Sequence, residues 1–177
     1  MLEPAGTADV IETIEMTDAI DARADFDARF ALARERLLRI TASLVGADDA
    51  EDVVQDTYLL GRKRFDQLRD DAAFEPWVTR IAVNLCFGRH RRAKRLRELL
   101  PALLPRKAPA SDIGLRDLVE RLPPRDRTVL VLHYGHGYRL EEIATVLDLT
   151  HTNVRTIIAR SRKRLFAAWR QAEGHDR

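Results

Sequence analysis

Between Phe26 and Leu44 the apolar residues Phe26, Phe30, Ala33, Leu37, Ile40 and Leu44 recur every three or four positions. That spacing draws one apolar stripe down a helix. Gly46 breaks the pattern, and Asp48 followed three residues later by Glu51 has the form of a capping box that opens a second helix. This helix carries Val53, Val54, Thr57, Tyr58 and Gly61 on one side and is predicted to run to about Phe65. Residues 69–73 read as a loop. Pro76 suits the first turn of a third helix. There Trp77, Ile81 and Leu85 form a row at intervals of four, with Val78 and Ala82 beside it. The helix ends in the run Arg89 to Arg97, which has six Arg or Lys in nine residues and no acid.

Pro101, Pro105 and Pro109 punctuate the next stretch, which should not hold a long helix. Beyond it, short helices are predicted at 112–121, 124–135, 140–147 and 151–170, separated by Pro123-Pro124 and by Gly135 and Gly137. No strand pattern and no internal repeat interrupts them. The fold class expected is all-α, with two small helical domains joined by a linker. Its parts are an acidic N-terminal extension (1–25) read as flexible, a first domain (26–97), a linker (98–112), a second domain (113–172) and a tail (173–177).

Composition narrows the setting. Of 177 residues 45% are apolar and 33% charged, but only 6% aromatic, which suits amphipathic helices better than a barrel. No apolar run approaches the roughly 20 residues that cross a bilayer. The first residues lack a basic region followed by an apolar block. The only cysteine, Cys86, cannot form an internal disulfide and is most simply a small core residue. A cytoplasmic protein with no membrane partner is expected. The net charge of +2 hides an asymmetry: residues 1–25 hold seven acids against Arg23, and the remainder holds 29 bases against 21 acids. An acidic tail on a basic body suits a polyanion partner for the body, or simply a solubilising tail.

The stretch from Leu140 to Leu165 decides between those options. It fits a helix-turn-helix. A short helix carries the small Ala144, which lets a second helix cross closely, and Asp148 stands four residues later at the turn. Asp tolerates the left-handed conformation that such a turn needs, though less well than Gly. Leu149 is predicted to plug the core, Thr150 to cap the next helix, and Val154 and Ile158 to face inward. The outward face of that helix then carries Thr152, Asn153, Arg155, Thr156 and Ala159 near its N-terminus, where such helices meet base edges in the major groove. Arg155 suits a bidentate guanine contact and Asn153 an adenine. Arg160, Arg162, Lys163 and Arg164 are better placed for phosphates.

No catalytic constellation appears. His90, His133, His136, His151 and His175 are scattered, and His133 with His136 has no third ligand at metal spacing. Both read as surface or helix-end residues. There is no glycine-rich phosphate loop and no nucleophile elbow. No enzyme, no metal and no cofactor is expected.

Three segments in this order resemble a known family. They are Ala50-Glu-Asp-Val-Val-Gln-Asp-Thr-Tyr-Leu59, Phe74-Glu-Pro-Trp-Val-Thr-Arg-Ile-Ala-Val-Asn84, and Leu122-Pro-Pro-Arg-Asp-Arg127 followed by the helix-turn-helix. Together they resemble the extracytoplasmic-function (ECF) group of bacterial sigma factors. The resemblance implies a subunit that carries core RNA polymerase to promoter DNA. It implies that the helix with Glu51, Asp52, Gln55 and Asp56 docks on the β′ clamp helices, and that the second domain, which reads the −35 element, also meets the β flap. It implies −10 recognition and melting by the 69–73 loop and the third helix, with Asp70, Asp71, Trp77, Arg80, Asn84, Arg89, Arg91 and Arg92 as candidates. Trp77, by its row, reads as core more than as a stacking platform. The family commonly has Arg where Val83 and Ile157 stand, and an acid near Gly88. An anti-sigma partner is typical of the group. The alternative reading is an autonomous helix-turn-helix regulator that binds duplex operator DNA unaided.

Overall fold

The computed structural model describes residues 7–68, 70–99 and 114–173. Seven α-helices follow in order among them: α1 Thr7–Val45, α2 Ala47–Lys63, α3 Phe74–Leu99, α4 Leu115–Glu120, α5 Pro124–Leu130, α6 Leu140–Leu147 and α7 His151–Glu173. Single helical turns lie at Phe65–Gln67, Asp71–Ala73 and Val131–Gly135, and no strand occurs among the described residues. The expected all-α fold with two helical modules is the fold found. Of the expected linker only 98 and 99 are described, as the last residues of α3, and the tail beyond Glu173 also lies outside the described residues.

Two boundaries differ from the sequence reading. The first helix begins at Thr7, not near Phe26, so its backbone continues through most of the acidic stretch. The capping box at Asp48 does not form: the N-cap is Gly46, at φ 97°, with no side-chain cap bond. Glycine is used there for its positive φ, and Asp48 and Asp49 sit inside the first turn, where they oppose the positive end of the helix. The predicted 124–135 helix also changes character. It is α-helical to Leu130 and then widens to a π-helical turn. Tyr138 N closes that turn by donating to Leu132 O at 3.0 Å.

The first module is held by an aromatic cluster. Phe26 is fully buried and its ring lies 5.4–5.9 Å from those of Phe30, Tyr58, Phe65 and Phe74. Trp77 packs on the same cluster through Phe65 and Phe74, as its row predicts. Gly61 is the point of closest approach, since a Cβ there would sit 3.0 Å from Phe26 Cζ.

A second core joins the two modules. Ile40 and Leu44 of α1, Val53 of α2, and Val83 and Cys86 of α3 pack with Val129, Leu132, Tyr138, Ile143, Val146, Val154 and Ile157. Val83 and Ile157, the positions where the family commonly has Arg, are therefore apolar core residues here. Burial pushes the Cys86 thiol up to about 12. Polar ties border this core. Tyr138 Oη and Thr79 Oγ1 lie 3.2 Å apart, and the Arg36 guanidinium stacks 4.4 Å over the Tyr138 ring. Arg127 donates to Leu44 O and meets His90, while its Nε is buried without a partner. His136, read as a surface residue, is partly buried, with Ser43 Oγ 3.3 Å from its Nε2.

Candidate nucleic-acid interface

The helix-turn-helix is α6 and α7. Ile143, Val146 and Leu147 of α6 are buried, which fixes its face against the core. Asp148 then takes φ 53° and ψ 56°, the left-handed turn expected of it, and Leu149 N donates to Ala144 O at 2.9 Å. An Asp there forgoes the ease of Gly. Its carboxylate is exposed and pairs with Arg80 of α3 at 3.2 Å. Thr150 Oγ1 accepts from Asn153 N at 3.2 Å, the predicted cap. Val154 is fully buried and Ile158 partly so. Ile157 is buried as well, which widens the inward face beyond the sequence reading.

Outward, Thr152, Asn153, Arg155, Thr156 and Ala159 are all exposed on the first turns of α7. Arg155, Arg162 and Lys163 are exposed and make no ion pair with a described residue. Arg160 differs. Its Nη2 donates to both carboxylate oxygens of Asp126, each at 3.0 Å, and Arg164 reaches Asp126 Oδ2 at 3.4 Å. Asp126 is only 4% exposed, and Ser161 Oγ lies 3.5 Å from it. Charge-assisted hydrogen bonds to an almost buried carboxylate are strong, so Arg160 braces α5 against α7. Sequence reasoning missed Asp126. Its trace was an acid between Arg125 and Arg127, facing two arginines spaced by four.

The −10 candidates fall into two groups. Asp70 caps the turn Asp71–Ala73 by accepting from Ala72 N at 3.0 Å. Asp71 pairs with Arg29 of α1 at 3.0 Å. Arg69 lies outside the described residues. Trp77 is half-buried in the aromatic cluster, Arg80 is tied to Asp148, and Arg89 spans Asp49, Asp52 and Asp56. Asn84, Arg91 and Arg92 are at least partly accessible along α3. An open groove of about 570 Å³ lies between α1 and the turn, lined by Arg29, Leu32, Ala33, Arg36, Asp71 and Phe74. Hydrogen bonds to Asp25 and Asp71 hold the Arg29 guanidinium above its ordinary pKa.

The docking candidates form one stripe on α2. Asp52, Gln55 and Asp56 are exposed. Glu51 is half-buried and pairs with Arg34 of α1. Arg34 of α1, which pairs with Glu51, and Arg89 of α3, which pairs with Asp52 and Asp56, had no signature as partners in the sequence beyond charge.

The comparisons with known proteins agree with this geometry. The Sigma-70 region 2 family matches residues 30–96, and the Sigma-70, region 4 family matches residues 113–165. ECF RNA polymerase sigma factor SigM of Mycobacterium tuberculosis is 32% identical over 135 residues, covering 73% of this chain and 68% of that protein. The chain belongs to the ECF RNA polymerase sigma factors. As such a factor it directs RNA polymerase to promoters, in a family of non-enzymatic initiation factors. SigG of the same organism is 29% identical, over 83% of the chain and 49% of SigG. Among solved structures, this sigma factor superposes on CnrH in complex with the cytosolic domain of CnrY, with TM-score 0.63, 28% identity, and coverage of 86% of this chain and 95% of that one. The sigma factor RpoE of Bartonella quintana, solved with the anti-sigma factor NepR, also has TM-score 0.63, at 22% identity, covering 86% and 99% of the two chains. That last likeness speaks to the fold.

Proposed function

We propose that this sigma factor divides its work among three surfaces. The α7 face of Thr152, Asn153, Arg155, Thr156 and Ala159 reads the −35 element in the major groove, with Arg162 and Lys163 on phosphates. The turn 70–73 and α3 read and melt the −10 element. Asn84, Arg91 and Arg92 meet the strand, and the groove beside Arg36 and Phe74 takes an unstacked base, which needs a polar edge and an apolar wall. The α2 stripe of Glu51, Asp52, Gln55 and Asp56 docks on the β′ clamp helices, and the second module meets the β flap. Arg160 is a brace in this reading and contributes to phosphate binding only indirectly. The chain has no catalytic group of its own, takes no cofactor and works in the cytoplasm. No helix among the described residues is long and apolar enough to cross a membrane. An anti-sigma partner, typical of the group, belongs to the same reading, and the similar CnrH was solved in complex with another protein, the cytosolic domain of CnrY.

One observation carries this most: the exposed α7 face is the side of a capped helix-turn-helix where Arg155, Arg162 and Lys163 stand without an ion pair to any described residue. Transcription in vitro from core polymerase with and without the protein tests it. Promoter-specific initiation should require the protein, and the free protein should bind promoter duplex weakly. Tight operator binding by the free protein, with no stimulation of core, would instead make it an autonomous regulator.

A further inference from the structure

Arg89 stands on α3 but points at α2. Its guanidinium lies 3.3 Å from Asp49, 3.8 Å from Asp52 and 3.3 Å from Asp56. Those acids are spaced i, i+3 and i+7, one stripe of the helix. Two of them belong to the surface assigned above to polymerase. On its own helix Arg89 is three residues before Arg92, so the two share a side of α3. Arg91 and Arg92 are exposed and make no ion pair with a described residue. One arginine of this basic run is thus folded away onto the docking surface.

The charges explain why that position can be temporary. One guanidinium meets three carboxylates, which leaves two negative charges unmatched along the stripe. A partner that lands on Asp52 and Asp56 through its own cations offers those carboxylates closer matches and repels Arg89. The three pairs are long and partly exposed, the kind that exchanges readily. Once displaced, Arg89 stands beside Arg92, where a nucleic-acid strand following α3 would meet it.

We propose that Arg89 is a coupling residue: in the free factor it is held by the docking stripe, and polymerase binding releases it to contact the −10 strand. This rests on the docking role of α2 proposed above. Coupling is reciprocal, so −10 single strand should strengthen core binding by the factor by which core strengthens strand binding, about fivefold.

Binding of a labelled −10 non-template oligonucleotide to the full chain, alone and with core polymerase, tests this as a function of salt. Arg89→Ala should leave strand binding by the free factor within about twofold of wild type and lower it about fivefold in the assembled enzyme. Only in the assembled enzyme should the salt slope fall, by about 0.7, the value of one single-strand phosphate contact. Arg89→Lys should restore most of both. Asp49→Asn, which loosens the hold from outside the docking set, should raise strand binding by the free factor. Equal losses with and without core, no loss in either, or no gain from Asp49→Asn overturns the proposal. Arg89→Lys and Asp49→Asn keep the test alive if Arg89→Ala fails to fold. Failure of the docking reading looks different: Asp52→Asn with Asp56→Asn would then bind core as wild type does.

Discussion

The two modules present their charge in opposite ways. On the second, the proposed reading face of α7 is exposed, and Arg155, Arg162 and Lys163 make no ion pair with a described residue. On the first, most charged candidates already have a partner, Glu51 with Arg34, Asp71 with Arg29, Arg80 with Asp148, and Arg89 with three aspartates, while Arg91 and Arg92 pair with no described residue. A duplex groove has a fixed shape, so a rigid face with its cations free can be built in advance. In the proposed reading a melted strand and a docking partner are met only during assembly, and there most of the charges stand in internal pairs that are free to exchange. The difference separates a preformed reader from one that must be released.

The sharpest way to break this comparison is to ask whether the modules are separate bodies at all. Leu132 is fully buried where α1 and α3 meet the second module. Leu132→Ala should cost about 2–5 kcal/mol in chemical denaturation. Hydrogen exchange should quicken in α3 as well as in α5 and α6. Loss of protection confined to residues 114–173 would show that the joint core carries little energy.

Next comes the bare face itself. Arg155→Ala should cost about 1–3 kcal/mol at one −35 base pair and relax the preference there. Arg160→Ala should lower the melting temperature more than it alters preference, because Arg160 holds Asp126. A randomised promoter library separates these outcomes. An unchanged preference in Arg155→Ala would remove that residue from readout.

Smaller effects belong to the Arg80–Asp148 tie. Asp148→Gly loses a surface pair, a matter of 0 to about 1 kcal/mol. It also removes a left-handed non-glycine residue, a strain of about 1–2 kcal/mol. The two offset, so thermal stability should change little or rise slightly. Asp148→Ala keeps the strain and loses the pair, and it should be the less stable of the two variants.

The smallest is a pH effect. Burial pulls His136 below its ordinary 6.5, and Arg39 and Arg36 add to the shift. The unfolded chain therefore takes up this proton before the folded one, and stability falls as pH drops below about 6.5. His136→Gln should flatten that part of the stability-versus-pH curve. An equal slope in the variant would assign the effect to another group.

Much of the helix-turn-helix was legible because its rules are local. A turn residue that accepts positive φ, a Thr at the cap and an apolar residue four positions later constrain one another over a few residues. Asp148, Thr150 and Val154 stand as those rules require. The apolar stripes of α1–α3 were legible for the same reason. The backward extension of α1 to Thr7 was not, since the acidic stretch carries no comparable stripe. Cys86 reads as a core residue in the sequence, but nothing there says that Val129 and Ile143 of another module cover it together with Val83. The capping box at Asp48 failed because Gly46 already turns the chain. Among the site residues the sequence revealed charge but not partner. Arg89, Arg80 and Arg160 read alike as cations on helices, and only the fold assigns one to α2, one to Asp148 and one to Asp126.

The joint core also sets a matter of length. Arg80, on the helix proposed to read the −10 element, and Asp148, at the turn proposed to serve the −35 element, lie 3.2 Å apart. The two promoter elements, about 25 base pairs apart by their names, lie about 85 Å apart along duplex DNA. A chain folded in this way is a closed ruler, too short for the object it measures. In the proposed division of work, reading both elements at once requires the two modules to part, and a segment as long as 100–113 can span at most roughly 50 Å. Opening bares Val83, Leu132, Tyr138 and Ile143 to water. The free energy of that exposed face becomes the threshold that assembly with polymerase and promoter must exceed.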